Sequence, residues 1–184
     1  SQKKLLFEKQ HLERLQKASR YFAFPFDQEV LRQKIEKEYQ SCDIRQDYRI
    51  RISLSKSGEI EIERQVLTPL NSSFCQAKLC LQEADLEQAF TYFKTTHRPH
   101  LTVGEQEIIY HTADGKMLET SIGNLVLKMD GKLYTPPSTL GLLPGIYRQH
   151  LLENGQVEEK VLTVEDLKEA EVIYACNAVR GLYE

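Results

Sequence analysis

From Glu8 to Phe22 the apolar residues Leu12, Leu15, Ala18 and Phe22 recur at helical spacing, and Phe24-Pro25 marks where that helix must stop. Residues 4–7 (KLLF) read as a short strand ahead of it. Asp27 is placed to cap a second helix running through Tyr39, with Val30, Leu31 and Ile35 on its buried side. The period then changes from helical to alternating. YRIRISLS, a turn at Ser57-Gly58 and EIEIERQVL predict a hairpin with one face in water. Between Ala77 and Phe90 the chain is polar and without a clear period, and it reads as the connection between two lobes.

The second half is built from strands. One is expected to open at Tyr92 and Lys94. Hairpins follow around Asp114-Gly115 and Asp130-Gly131, the second ending in TPP. Pro144-Gly145 starts a helix that ends near Asn154-Gly155, Thr163 and Asp166 cap a short helix through Ala170, and VIYAC is a final apolar strand. The pattern predicts an α+β chain with a small lobe over 1–82, a connector over 83–90 and a larger, barrel-like lobe over 91–184.

At 184 residues and 41% hydrophobic the chain can bury a substantial core. A net charge of −3 with 28% charged residues leaves no basic face for nucleic acid. No apolar run has the length of a membrane span or a secretory signal, so no membrane partner and a cytoplasmic location are expected. Cys42, Cys75, Cys80 and Cys176 lack paired zinc spacing; reduced thiols and no metal are expected.

Lys94, in KTTHRPH, and Glu119, in ETSIGN, change the picture. Pyridoxal phosphate chemistry requires an amine to hold the aldehyde and a carboxylate to keep the ring nitrogen protonated, so that the ring can accept electrons. Taken singly, Lys94 also reads as a solvated strand-edge lysine and Glu119 as an exposed glutamate after a hairpin. The order of parts around them separates the readings. ETSIGN is followed by a strand, a DG turn, a strand ending in TPP and the helix entry LLPGIYRQ. HLERLQKASRYFAFPFD precedes, FTYFKTTHR carries the lysine, and VLTVEDLKEAEVIYACNAVRG closes the series. This series resembles the fold-type IV pyridoxal phosphate enzymes, which include branched-chain aminotransferases, D-amino acid transaminases and aminodeoxychorismate lyases. KTTHRP, YTPP before LLPGI, and NAVRG look most like the lyase module fused in some bacteria behind a chorismate-aminating domain.

The resemblance implies a two-lobed fold with pyridoxal 5'-phosphate in the cleft and Lys94 as the catalytic amine. Glu119 would serve the ring nitrogen and Asn124 would fix the adjoining turn. Arg14 would pair with the phosphate from the first lobe by two parallel hydrogen bonds. The backbone amides of Ile146 and Tyr147 would bind it from a helix start, and Asn177 and Ala178 would meet the cofactor from the NAVRG turn. His97, Arg98 and Arg180 are candidates for gripping substrate carboxylates.

Three departures accompany it. Tyr147 stands where threonine is usual and Ala178 where serine or threonine is usual, each removing a hydrogen bond to phosphate worth about 1.5–3 kcal/mol. Only TVGEQ separates KTTHRPHL from EIIYH, shorter than usual by about two helical turns. The family's opening hairpin has no counterpart before Ser1 and there is no initiator methionine, so a piece of a longer fusion or a reduced homologue is expected. The implied reaction on the small-molecule substrate is cleavage of aminodeoxychorismate to 4-aminobenzoate and pyruvate, by a homodimer or beside a chorismate-aminating domain. A branched-chain or D-amino acid aminotransferase would use the same residues, and a non-catalytic remnant serving as a dimerisation or docking module is a third reading.

Overall fold

The computed structural model describes residues 5–69, 76–82, 88–102 and 106–184. It divides into two compact units, Ser1–Asn71 and Ser72–Glu184.

In the first unit, α1 (Glu8–Tyr21) and α2 (Gln28–Ser41) precede an antiparallel hairpin of β1 (Tyr48–Leu54) and β2 (Ile60–Val66), paired from Tyr48↔Val66 to Leu54↔Ile60. Residues 5–7 are not the expected strand, and Lys4 lies outside the described residues. Phe7, at φ 55°, caps α1, and its carbonyl accepts from the His11 amide at 2.9 Å, which draws the segment into the helix start. Asp27 does cap α2, its carboxylate accepting from the amides of Glu29 (2.8 Å) and Val30 (3.1 Å). Leu31 and Ile35, one turn apart, pack with Ile60 as the core, with Leu12, Leu15 and Ile52 against them. Val30, expected on the buried side, is exposed: it falls about 100° around the helix from Leu31.

The second unit begins with β3 (Ala77–Leu81), so the segment read as a polar connection contributes a strand. Its ladder comes from parallel pairing with β4 (Glu107–His111), which no local periodicity announces. Between them lies α3 (Gln88–Tyr92). The strand expected to open at Tyr92 and Lys94 is absent. Tyr92 ends α3 and Lys94 sits in irregular chain, where the Thr95 hydroxyl donates to the His97 carbonyl at 2.7 Å and the Thr95 amide to the Phe93 carbonyl at 3.0 Å. These local bonds take up groups that a ladder would have used.

β5 (Met117–Thr120), β6 (Asn124–Met129) and β7 (Lys132–Thr135) follow through the expected hairpins, with Asp130 (φ 50°) and Gly131 (φ 73°) forming the left-handed pair of the second turn. After a 3-10 turn at Ser138–Leu140 come α4 (Ile146–Glu153), β8 (Glu158–Glu159), α5 (Val164–Glu169), β9 (Val172–Asn177) and β10 (Gly181–Tyr183). The strand order is β10-β9-β6-β5-β4-β3, with β7 and β8 branching from β6. β6 is buried on both faces. Leu125 and Leu127 join Ile109, Met117 and Leu162, with Val164 and Leu167 of α5 packed against them; Val126 joins Leu151, Val157 and Cys176 under α4. α5 begins with the expected capping box of Thr163 and Asp166. Among the described residues no helix is long and apolar enough to cross a membrane.

Candidate active site

β5 and β6 meet at one residue pair, Glu119↔Asn124, and the turn between them is held from several sides. The Thr120 hydroxyl donates to the Gly123 carbonyl at 3.1 Å, and a Glu107 carboxylate oxygen accepts from the Ser121 hydroxyl (3.1 Å) and the Ile122 amide (3.0 Å). Asn124, buried, donates from Nδ2 to the Leu143 carbonyl at 2.8 Å and pairs with Cys176 across β9. It therefore ties the turn both to the segment that leads into α4 and to the last strands. Gly123 permits the close approach, since a Cβ there would lie 2.8 Å from the Cys176 carbonyl oxygen.

Glu119 is 3% exposed. Its Oε1 accepts from Arg98 Nη2 at 3.2 Å and from the Leu143 amide at 3.2 Å, and among the described residues no hydrogen bond reaches Oε2. Burial pushes the carboxyl above its ordinary range. The Arg98 charge, the Leu143 amide and the charge of Lys94 each pull it back. Lys94 is exposed and stands within electrostatic reach of Glu119, so the two residues singled out from sequence share one neighbourhood.

α4 starts at Ile146 behind Gly145, with no side-chain cap on its first turn, which leaves its positive end to other partners. Tyr147 is half-buried and reaches the β9–β10 turn: a Cβ on Gly181 would lie 3.4 Å from its hydroxyl. In that turn Asn177 Oδ1 accepts from the amides of Val179 and Arg180, both at 2.9 Å, and holds Ala178 and Arg180 in a tight loop. His97 is exposed, its ring edge-on to Phe90 at 5.1 Å. Arg14 belongs to the other unit, on α1, with Nη2 3.5 Å from His11 Nδ1. The second unit thus assembles Glu119, Asn124, Arg98, the α4 start and the Asn177–Arg180 turn, with Lys94 close by.

The sequence profile of the family described as amino-transferase class IV matches residues 1–184. The chain belongs to the class IV aminotransferases. These are the fold-type IV pyridoxal phosphate enzymes, and the α+β architecture expected from the resemblance is the one found. A Schizosaccharomyces pombe protein named as a candidate aminodeoxychorismate lyase is 23% identical over 185 residues, 92% of this chain and 79% of its own. The solved structure of a candidate amino-acid aminotransferase from Mesorhizobium loti matches with a TM-score of 0.81 at 26% identity, covering 95% of this chain and 88% of that one. An uncharacterized Haemophilus influenzae protein is 38% identical over 69 residues, so the match spans only 36% of its length and 38% of this class IV chain.

The residues present fit the family's cofactor. Among the described residues Glu119 keeps one carboxylate oxygen without a hydrogen bond, and the uncapped start of α4 is a place for an anion. Sequence reading does not single out the Leu143 amide or buried His100, and it picks out Arg98 without its pairing to Glu119. The Leu143 amide carries no side-chain signature. Arg98 was visible in KTTHRP, but nothing local ties it to Glu119. His100 is 7% exposed with neither ring nitrogen hydrogen-bonded among the described residues.

His100 carries a pH dependence. Burial, then the charges of Arg98 and His97, lower its pKa from 6.5 to about 4. The unfolded chain takes up this proton below 6.5 and the folded chain does not, so the stability it contributes is present above pH 6.5 and lost as pH falls towards 4. Thermal unfolding followed from pH 7.5 to 4 is expected to fall more shallowly in His100→Leu than in the wild type; parallel profiles would exclude His100 as a source of the acid sensitivity. Cys176 is inert by the same physics, burial pushing its thiol up to about 12.

Proposed function

We propose that this chain is a pyridoxal phosphate-dependent aminodeoxychorismate lyase, releasing pyruvate and leaving 4-aminobenzoate. The observation that carries the reading is the buried Glu119 carboxylate, paired with Arg98 and within the field of the exposed amine of Lys94. When bound, pyridoxal phosphate supplies an electron-accepting ring conjugated to the substrate amine. The protein supplies the rest. Lys94 would hold the cofactor through its amine and, as a free amine, would take the proton from the substrate's α carbon. Glu119 keeps negative charge at the ring nitrogen, the α4 start offers amides of Ile146 and Tyr147 to phosphate, and Asn124 holds those pieces in register. Arg14 is the further phosphate ligand of this reading, and His97 and Arg180 remain the candidates for substrate carboxylates.

The lyase is preferred to an aminotransferase because KTTHRP and NAVRG look most like the lyase module, and a relative named for that activity spans most of the chain. The aminotransferase has its own support in the Mesorhizobium loti structure. A homodimeric assembly belongs to the proposal as well. Purified protein is titrated with pyridoxal phosphate, reduced with borohydride and mapped by mass spectrometry. A visible band and a reduced adduct on Lys94 are expected, followed by pyruvate release from aminodeoxychorismate. Label scattered over surface lysines would refute the cofactor site; 2-oxoglutarate-dependent amino transfer without pyruvate release would replace the lyase with the aminotransferase.

A further inference from the structure

Arg98 was expected to grip a substrate carboxylate, and its surroundings give it another task. Its side chain is 17% exposed and that of Glu119 is 4% exposed, so the 3.2 Å pair between them is largely withdrawn from water. A buried carboxylate survives as an anion only when cations and hydrogen bonds replace its hydration. Both donors here, Arg98 Nη2 and the Leu143 amide, converge on Oε1. We infer that Arg98 is a positioning residue: by occupying Oε1 it keeps Glu119 ionised and turns Oε2 over to the ring nitrogen of the cofactor.

The choice of residue matters. A guanidinium is charged at every working pH, whereas a buried ammonium can lose its proton, and here it meets the carboxylate through the single Nη2–Oε1 contact. With that permanent cation beside it, Glu119 does not depend on Lys94 staying protonated. Lys94 can give up its proton and act as an amine while the carboxylate keeps its charge. Turning Nη2 to a substrate would leave Oε1 with the Leu143 amide as its hydrogen-bond donor.

The inference rests on pyridoxal phosphate being the cofactor, and the test separates the two. Wild type, Arg98→Gln and Arg98→Lys are titrated with pyridoxal phosphate and with its 1-deaza analogue, in which carbon replaces the ring nitrogen; melting curves accompany each protein. Arg98→Gln is expected to bind pyridoxal phosphate about 10- to 100-fold more weakly, the loss of a charge-assisted contact, and to bind the deaza analogue within about twofold of the wild type. Arg98→Lys, which keeps the charge, recovers part of the loss and covers the case in which the glutamine variant does not fold. Equal losses for both ligands, or none, in whichever variant melts like the wild type would overturn the role of Arg98 and leave the cofactor reading standing. Failure of the wild type to bind pyridoxal phosphate would overturn both.

Discussion

Alanine in place of Lys94 is expected to abolish turnover while leaving the fold intact. Lys94 is exposed and in irregular chain, where substitutions usually move stability by less than about 0.5 kcal/mol, so the unfolding midpoint should match the wild type. On the proposed mechanism, catalysis loses the amine that holds the cofactor and the base that takes the substrate proton. Removing general-base action alone costs about 10²–10⁴-fold, and removing both roles should take pyruvate release below detection. Near-normal turnover in the alanine variant would assign the chemistry to another residue and sink the site as drawn. A collapse of stability with the activity would show instead that Lys94 works in the fold.

Gly145→Ala is expected to have the largest effect on the fold of the site. Gly145 has φ −67°, which alanine adopts freely, so backbone strain is not the issue. The new methyl would overlap the side-chain oxygen of buried Asn124 and approach its Cγ to 3.2 Å. Either α4 retreats or Asn124 turns and leaves the Leu143 carbonyl without its donor. Overpacking costs about 1–3 kcal/mol and a stranded buried polar group about as much again, giving a loss of about 2–6 kcal/mol in urea unfolding. If the clash is the cause, adding Asn124→Ala should cost less in the Gly145→Ala background than in the wild type. Strict additivity of the two would exclude it.

The elements that could be read from the chain were those whose cause is local. Asp27, the Thr163–Asp166 box, and the glycines at 115 and 131 each act within four residues, and the structure has them where they were expected. β3 was missed because its stabilising partner is β4, a long-range parallel neighbour, and the strand at Lys94 was overcalled because hydroxyl and aromatic content looked like strand composition while Thr95 bonds to its own neighbours. The site followed the same division. Glu119, Asn124, Arg98 and the α4 entry stand out as residue types in order, whereas the contacts of Arg98 and the Leu143 amide with Glu119 and the burial of His100 arise from packing between distant segments.

Asn124 stands opposite Glu119 on one side, reaches the Leu143 carbonyl, and pairs with Cys176 on the other side. Those contacts join segments far apart in sequence, which come together more slowly than local ones. During synthesis residues 119–124 emerge before Leu143 and Cys176, so the full set of Asn124 contacts forms only once residue 176 is present. Ligand that binds only the finished set of contacts then adds its stabilisation to a unit that has already folded.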